Sequence, residues 1–165
     1  MCSIITLNKN NGSHNWEKSF LKNTSISIMH HEDINSNIIY LYITKEAGQI
    51  HIMALNLSSG EEIWNTKIRD GAPGWVFFTN THSSDEDDEL LSVLKQGYLH
   101  QIDKRTGELL WSQKSNADAL ILHDNLLYLL QSDSLHLKEA STGKNVLSSK
   151  LKKKFSAKWW SFDFE

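Results

Sequence analysis

Apolar residues along the chain gather in short runs of four to seven, separated by polar, turn-forming segments. Residues 25–29, 38–44, 50–55, 75–79, 90–94, 98–102, 119–122 and 126–130 are built largely from Ile, Val, Leu, Tyr and Phe, side chains that suit a pleated, half-buried surface. A helix competes only at 89–94 and 126–131, where leucines cluster; the shortness of these runs and the turn residues beside them favour strands. The pattern predicts an all-β chain.

The runs recur in a fixed frame. Leu7-Asn8-Lys9-Asn10-Asn11-Gly12, Leu55-Asn56-Leu57-Ser58-Ser59-Gly60 and Ile102-Asp103-Lys104-Arg105-Thr106-Gly107 share an aliphatic residue, Asn or Asp, two variable residues, a small polar residue and Gly. Tryptophan follows each glycine four residues later, at Trp16, Trp64 and Trp111. A weaker fourth copy runs from Lys138 to Gly143, with Leu147 in the tryptophan's place. Gly71 and Trp75 share the spacing but lack the frame, so spacing alone is not the signal. A β-rich run leads into each frame and another leads out, which predicts a hairpin. Asn, Asp, Ser and Thr can bond nearby backbone N–H groups in its loop, and Gly supplies the positive φ such a loop requires. Two further β runs precede each of the last three frames. Four strands per unit is the count of a propeller blade.

Blade counting gives about four, the low end for closed propellers. The chain opens at Ile4 with what reads as the third and fourth strands of a blade, passes through three full blades, and ends in residues 155–164, whose alternation predicts one or two more strands. Either the tail pairs with the first hairpin and closes a small ring, or the chain is a partial propeller with open edges and apolar blade faces for a partner to complete. The expected architecture is an all-β propeller of four-stranded antiparallel blades, small or partial, spanning residues 1–165 as one domain.

Composition narrows the function classes. With 17 Lys and Arg against 20 Asp and Glu, the net charge of −3 provides no broad electrostatic footprint for nucleic acid. No apolar run approaches the ~20 residues of a membrane span. The single cysteine, Cys2, rules out an intrachain disulfide and a multi-cysteine metal cage. The amino terminus lacks the charged and apolar regions of a signal peptide, which fits a cytoplasmic protein or a piece of a secretory-pathway or periplasmic one.

The frame Leu-Asp-x-x-Thr-Gly-x-x-x-Trp, best preserved from Gly97 to Trp111, resembles the repeat of the quinoprotein, or pyrroloquinoline-quinone-like, β-propellers over Ile4 to Ser149. The resemblance implies that Trp16, Trp64 and Trp111, with Gly12, Gly60, Gly107 and Gly143, dock successive blades. Quinone-binding members are alcohol and sugar dehydrogenases that use a vicinal cysteine pair, or a carboxylate and asparagine set around calcium. Others bind no cofactor: an outer-membrane assembly lipoprotein, lumenal domains of unfolded-protein sensors, and the largest subunit of a membrane-insertion complex. One cysteine and no recognisable calcium set place this chain with the second group, as a non-enzymatic scaffold without cofactor that meets a protein partner or itself through open blade edges. The alternatives are half of a quinone-dependent dehydrogenase completed by a second chain, and a closed four-bladed ligand-binding ring.

Other clusters give weaker chemistry. Asp85 to Glu89 are five consecutive carboxylates without the alternation and Gly of a calcium loop, so a solvated loop is expected. Lys150, Lys152, Lys153, Lys154 and Lys158 read as an exposed connection. His30 and His31, beside Glu32 and Asp33, point to opposite faces if extended. His100 and His136 lie seven residues before Gly107 and Gly143, at equivalent packing positions. Residues 70–75, from Asp70 to Trp75, read as a turn-rich blade entry. No catalytic, cofactor-binding or metal-ligating residue is assigned.

Overall fold

The computed structural model describes residues 2–29, 37–70, 76–80, 90–95 and 97–151. The acidic run at 85–89, the His30 to Asp33 cluster, residues 71–75, the lysines from Lys152 onward and the predicted tail strands lie outside them. The described residues form fourteen strands in four antiparallel sheets. β1 (Cys2–Leu7) pairs with β2 (His14–Phe20) in a two-stranded sheet. Three four-stranded sheets follow in simple sequence order. They are β3 (Ser25–Met29), β4 (Ile38–Thr44), β5 (Gln49–Asn56) and β6 (Glu62–Asp70); β7 (Val76–Asn80), β8 (Leu90–Lys95), β9 (Tyr98–Asp103) and β10 (Leu109–Lys114); and β11 (Ala119–His123), β12 (Leu126–Gln131), β13 (Ser134–Glu139) and β14 (Asn145–Lys150). This is a partial β-propeller, and both leucine clusters that could have been helix, in β8 and β12, are strands.

The chain divides into two compact units, one holding β1 to β6 with the turn Thr106–Glu108, the other holding β7 to β14. In the first, Leu41, Ile43, Met53 and Leu55 form a buried cluster against which Ile4, Trp16, Phe20, Ile26 and Ile39 pack. In the second, Leu94, Leu99, Leu120, Leu122, Leu127, Leu129 and Ala140 do the same, with Leu90, Trp111 and Ala117 against them. β4 is buried on both faces from Tyr40 to Thr44, as a central strand covered on either side must be.

The frame residues build the hairpin turns as their chemistry dictates. Asn8, Asn56 and Asp103 each accept, through Oδ1, the N–H two residues on, at 2.9 Å. The small polar residue before each glycine accepts the N–H just beyond it: Asn11 from Ser13, Ser59 from Glu61, Thr106 from Glu108 and Thr142 from Lys144. The four glycines have φ between 70 and 75°, which an L side chain adopts only at a cost.

Each hairpin also carries a bulge at the same place. Thr6 faces Trp16 while Leu7 faces His14, so Asn15 is left unpaired. Ile63, Leu110 and Val146 are skipped in the same way beside Trp64, Trp111 and Leu147. Directly opposed residues share a sheet face, and one extra residue moves everything beyond it to the other face. Without the bulge Trp16 would lie opposite Ile5 and share the face of Leu7; with it, the ring lies on the reverse face. The first three sheets thus each have a glycine face and a tryptophan face, and in the last Leu147 takes the place of the ring.

An asparagine ahead of the second strand pins the turn in two of the sheets. Asn37 accepts the Leu57 N–H on its carbonyl at 2.8 Å and the Ser58 hydroxyl on Oδ1 at 2.7 Å. Asn125 accepts the Ala140 N–H on its carbonyl at 2.8 Å and the Ser141 N–H on Oδ1 at 3.2 Å. In the fourth frame Glu139 stands where Asn or Asp is usual, and Asn125 takes over the N–H that this residue would have held. Asn125 has φ 57° and Asp124 φ 48°, a two-residue hairpin loop of the kind that favours Asn. Asn125→Ala is expected to lower the unfolding free energy by about 1–2 kcal/mol, from a lost polar contact and a strained left-handed residue. Asn125→Gly is expected to lose less, because only the side-chain bond goes; equal losses in denaturant titrations would show that the backbone conformation is not limiting.

Candidate functional site: the joints between repeats

The side chains that the repeat singles out converge at joints. In the first unit the Trp16 ring lies over Gly60, where a Cβ would stand 2.5 Å from Trp16 Cδ2. Its indole Nε1–H donates to the Leu57 carbonyl at 2.8 Å. One side chain therefore contacts the apolar cluster under β4 and β5, the glycine of the next frame, and a carbonyl of the same turn. Trp64, also in the first unit, lies over Gly107, where a Cβ would be 2.6 Å from Cδ2, and sits 5.7 Å from the Tyr40 ring, centroid to centroid. In the second unit Trp111 lies over Gly143 with the corresponding separation at 3.1 Å, and Nε1–H donates to the Ala140 carbonyl at 2.7 Å. A half-buried indole uses its large surface and its one donor together in this arrangement. Gly12 differs: among the described residues no heavy atom lies within 4 Å of where its Cβ would be.

A second set of residues, two positions after each tryptophan, reaches the same turns. Thr66 donates its hydroxyl to the Gly107 carbonyl. Gln113 donates Nε2–H to the Gly143 carbonyl at 3.2 Å and accepts from Lys138 Nζ on Oε1 at 2.9 Å. Lys18, the equivalent residue of the first hairpin, pairs with Glu62 at 3.6 Å, an exposed ion pair worth at most ~1 kcal/mol. The sequence frame missed these positions because Lys, Thr and Gln share no residue type, only reach and a polar end. Burial holds the Lys138 ammonium below the usual lysine range, and Lys95 is displaced in the same direction by the same cause.

His100 and His136 occupy equivalent places, each bonded through Nδ1 to the serine opposite on the outer strand: Ser112 at 3.0 Å and Ser148 at 2.9 Å. His100 is fully buried; His136 is partly exposed and lines a cleft of about 300 Å³ with Lys114, Asn116, Leu129, Lys138 and Asn145. Among the described residues, no three His, Cys, Asp or Glu side chains come together as metal ligands do. Lys150 ends β14 and is exposed. No described helix is long and apolar enough to cross a membrane.

Residues 46–146 match the family described as outer membrane protein assembly factor BamB, which carries PQQ-type repeats. No curated protein matches the chain in sequence. Among solved structures, BamB from Moraxella catarrhalis is similar over 92% of this chain and 48% of its own, at 18% identity and a TM-score of 0.53. Sqt1 of Saccharomyces cerevisiae is similar over 92% of this chain and 43% of its own, at 14% identity and a TM-score of 0.62. The computationally designed Ika8 protein matches over 77% and 36%, at 16% identity and a TM-score of 0.51. At these identities the likeness is one of fold, and the chain spans less than half the length of each.

Truncating Trp64 or Trp111 to Ala is expected to cost about 3–5 kcal/mol in denaturant unfolding, and a loss below ~1 kcal/mol at both would remove the joints from the account of stability. Gly60→Ala and Gly107→Ala add a clash with the indole to backbone strain, whereas Gly12→Ala adds only the strain, about 1–2 kcal/mol. The first two are expected to be clearly the more damaging, and equal losses at all three would refute the ring contact.

Proposed function

Because the chain belongs to the PQQ-type repeat family described as outer membrane protein assembly factor BamB, we propose that it is a non-enzymatic β-propeller scaffold that acts by holding another protein. The reading takes residues 1–165 as one propeller domain. Trp16, Trp64 and Trp111 then dock successive blades on Gly60, Gly107 and Gly143, with Gly12 as the matching element of the first hairpin.

One observation carries the reading: the side chains that the repeat singles out are spent on turns and joints, with Trp16, Trp64 and Trp111 lying over Gly60, Gly107 and Gly143. The frame residues Asn8, Asn56 and Asp103 are likewise used up in bonds to their own turns. The sequence supplies one cysteine, Cys2, and so lacks the vicinal pair that some quinone-dependent relatives use.

The competing class is half of a quinone-dependent dehydrogenase. Titration with pyrroloquinoline quinone and calcium, followed by absorbance and by dye-linked oxidation of alcohols and sugars, separates the two. No saturable binding and no turnover is expected; stoichiometric quinone binding would overturn the scaffold reading.

A further inference from the structure

Aligning the frames on their glycines sets Lys138 with Leu55, and His136 with Met53. Counting on from the tryptophans sets Ser115 with Phe20. In the first unit these places are filled with hydrocarbon: Met53 and Leu55 are 4% and 0% exposed, and Phe20 packs against the cluster they belong to. In the second unit the same three places hold a histidine, a lysine and a serine, and a cleft of about 300 Å³ lies between the end of β10 with the residues after it and the facing side chains of β12, β13 and β14. A joint that the first unit closes with apolar side chains is left hollow and polar in the second.

The cleft is cationic. Lys114, His136 and Lys138 border it, and among the described residues that line it none is Asp or Glu. In the first unit Lys18 faces Glu62 at 3.6 Å; the corresponding residues of this joint are Gln113 and Asn145, both uncharged. Lys138 Nζ donates to Gln113 Oε1 at 2.9 Å and to the Gly143 carbonyl at 3.4 Å, which leaves one of the three donors of an ammonium for another acceptor. His136 is bonded to Ser148 through Nδ1 and keeps Nε2. Ser115 accepts the Ala117 N–H on Oγ at 3.3 Å and keeps its own proton to donate. The carboxylates of the adjoining residues are engaged elsewhere, Asp118 by the Ser132 N–H and Glu139 by the Thr142 hydroxyl. The lowered pKa of Lys138 reflects an ammonium taken partly out of water without a countercharge.

We propose that this cleft binds a small phosphate monoester, its phosphate group held between Lys114, His136 and Lys138 and its organic part against Leu129 and Ala117. Cationic and hydroxyl donors from two sheets converge on one space at the small end of the range for ligand clefts, which suits a compact dianion better than an extended acidic chain. Lysine binds phosphate as a point charge and needs no forked geometry. The apolar wall of Leu129 and Ala117 distinguishes an ester from bare phosphate. The site adds a ligand to the scaffold reading and does not depend on it.

Isothermal titration of the 165-residue chain with glycerol 3-phosphate, inorganic phosphate, citrate and hexaglutamate, at one ionic strength set by potassium chloride, tests the proposal. Glycerol 3-phosphate is expected to bind saturably, with a dissociation constant below about 1 mM, and more tightly than the other three. Lys138→Leu restores the residue of the second frame; it should weaken binding at least roughly tenfold, as removal of a partly buried charge partner does, without lowering the melting temperature of the free protein. Lys114→Gln alters an exposed side chain and should weaken binding as well, so the test does not rest on one variant's folding. No saturable binding, an affinity unchanged in either variant, or tighter binding of any of the other three probes would each overturn the proposal. Repeating the quinone titration on Lys138→Leu keeps the two readings apart: stoichiometric quinone binding that persists there overturns the scaffold reading alone.

Discussion

The architecture depends on a ring laid over a residue without a side chain. A glycine is present at each frame because the turn needs positive φ, and the same missing Cβ leaves a shelf flat enough for an indole to rest on. Trp16 on Gly60, Trp64 on Gly107 and Trp111 on Gly143 repeat this contact, and the carbonyls exposed by the turn at Leu57 and Ala140 receive the indole N–H. A single backbone choice thus supplies the turn, the seat for the ring and the acceptor for its donor. The contact works in series only because the ring and its own glycine lie on opposite faces of their sheet, which is what the bulge at Asn15, Ile63, Leu110 and Val146 achieves.

Polarity follows. A sheet with a glycine face and a tryptophan face can be added to at either side by another like it, and each new sheet interacts with its neighbours alone, as in other repeat proteins. The interior polar groups reflect the same economy. Ser92 donates its hydroxyl to Gln101 Oε1 at 2.7 Å, and Ser112 pairs with His100 Nδ1 at 3.0 Å, so these four side chains each have a partner within the third sheet.

Much of this was legible in the sequence. Hydrophobic runs at 25–29 and 38–44 coincide with β3 and β4 to the residue, and the frames fall on the turns, because strand and turn preferences are local properties. The hidden part is non-local. Nothing in Asn15, Ile63, Leu110 or Val146 marks a bulge, since three of them are aliphatic residues like those that fill ordinary strand positions and only the pairing register reveals the skipped position. Asn37 and Asn125 look like ordinary loop residues until the chain returns to them at Leu57 and Ala140. Thr66 and Gln113 reach one kind of carbonyl with different side chains, so residue type conceals their shared place.

The bulged position separates two kinds of tolerance to sequence change. Three aliphatic residues and one asparagine occupy it, so the position accepts both an apolar and a polar side chain. It has no freedom in whether a residue is there at all, because deleting one would turn the following ring to the wrong side of the sheet while leaving composition, hydrophobicity and the turn untouched. For a chain of this kind, the length between glycine and the ring four residues on carries the register that orients each repeat, whichever residue fills the bulge.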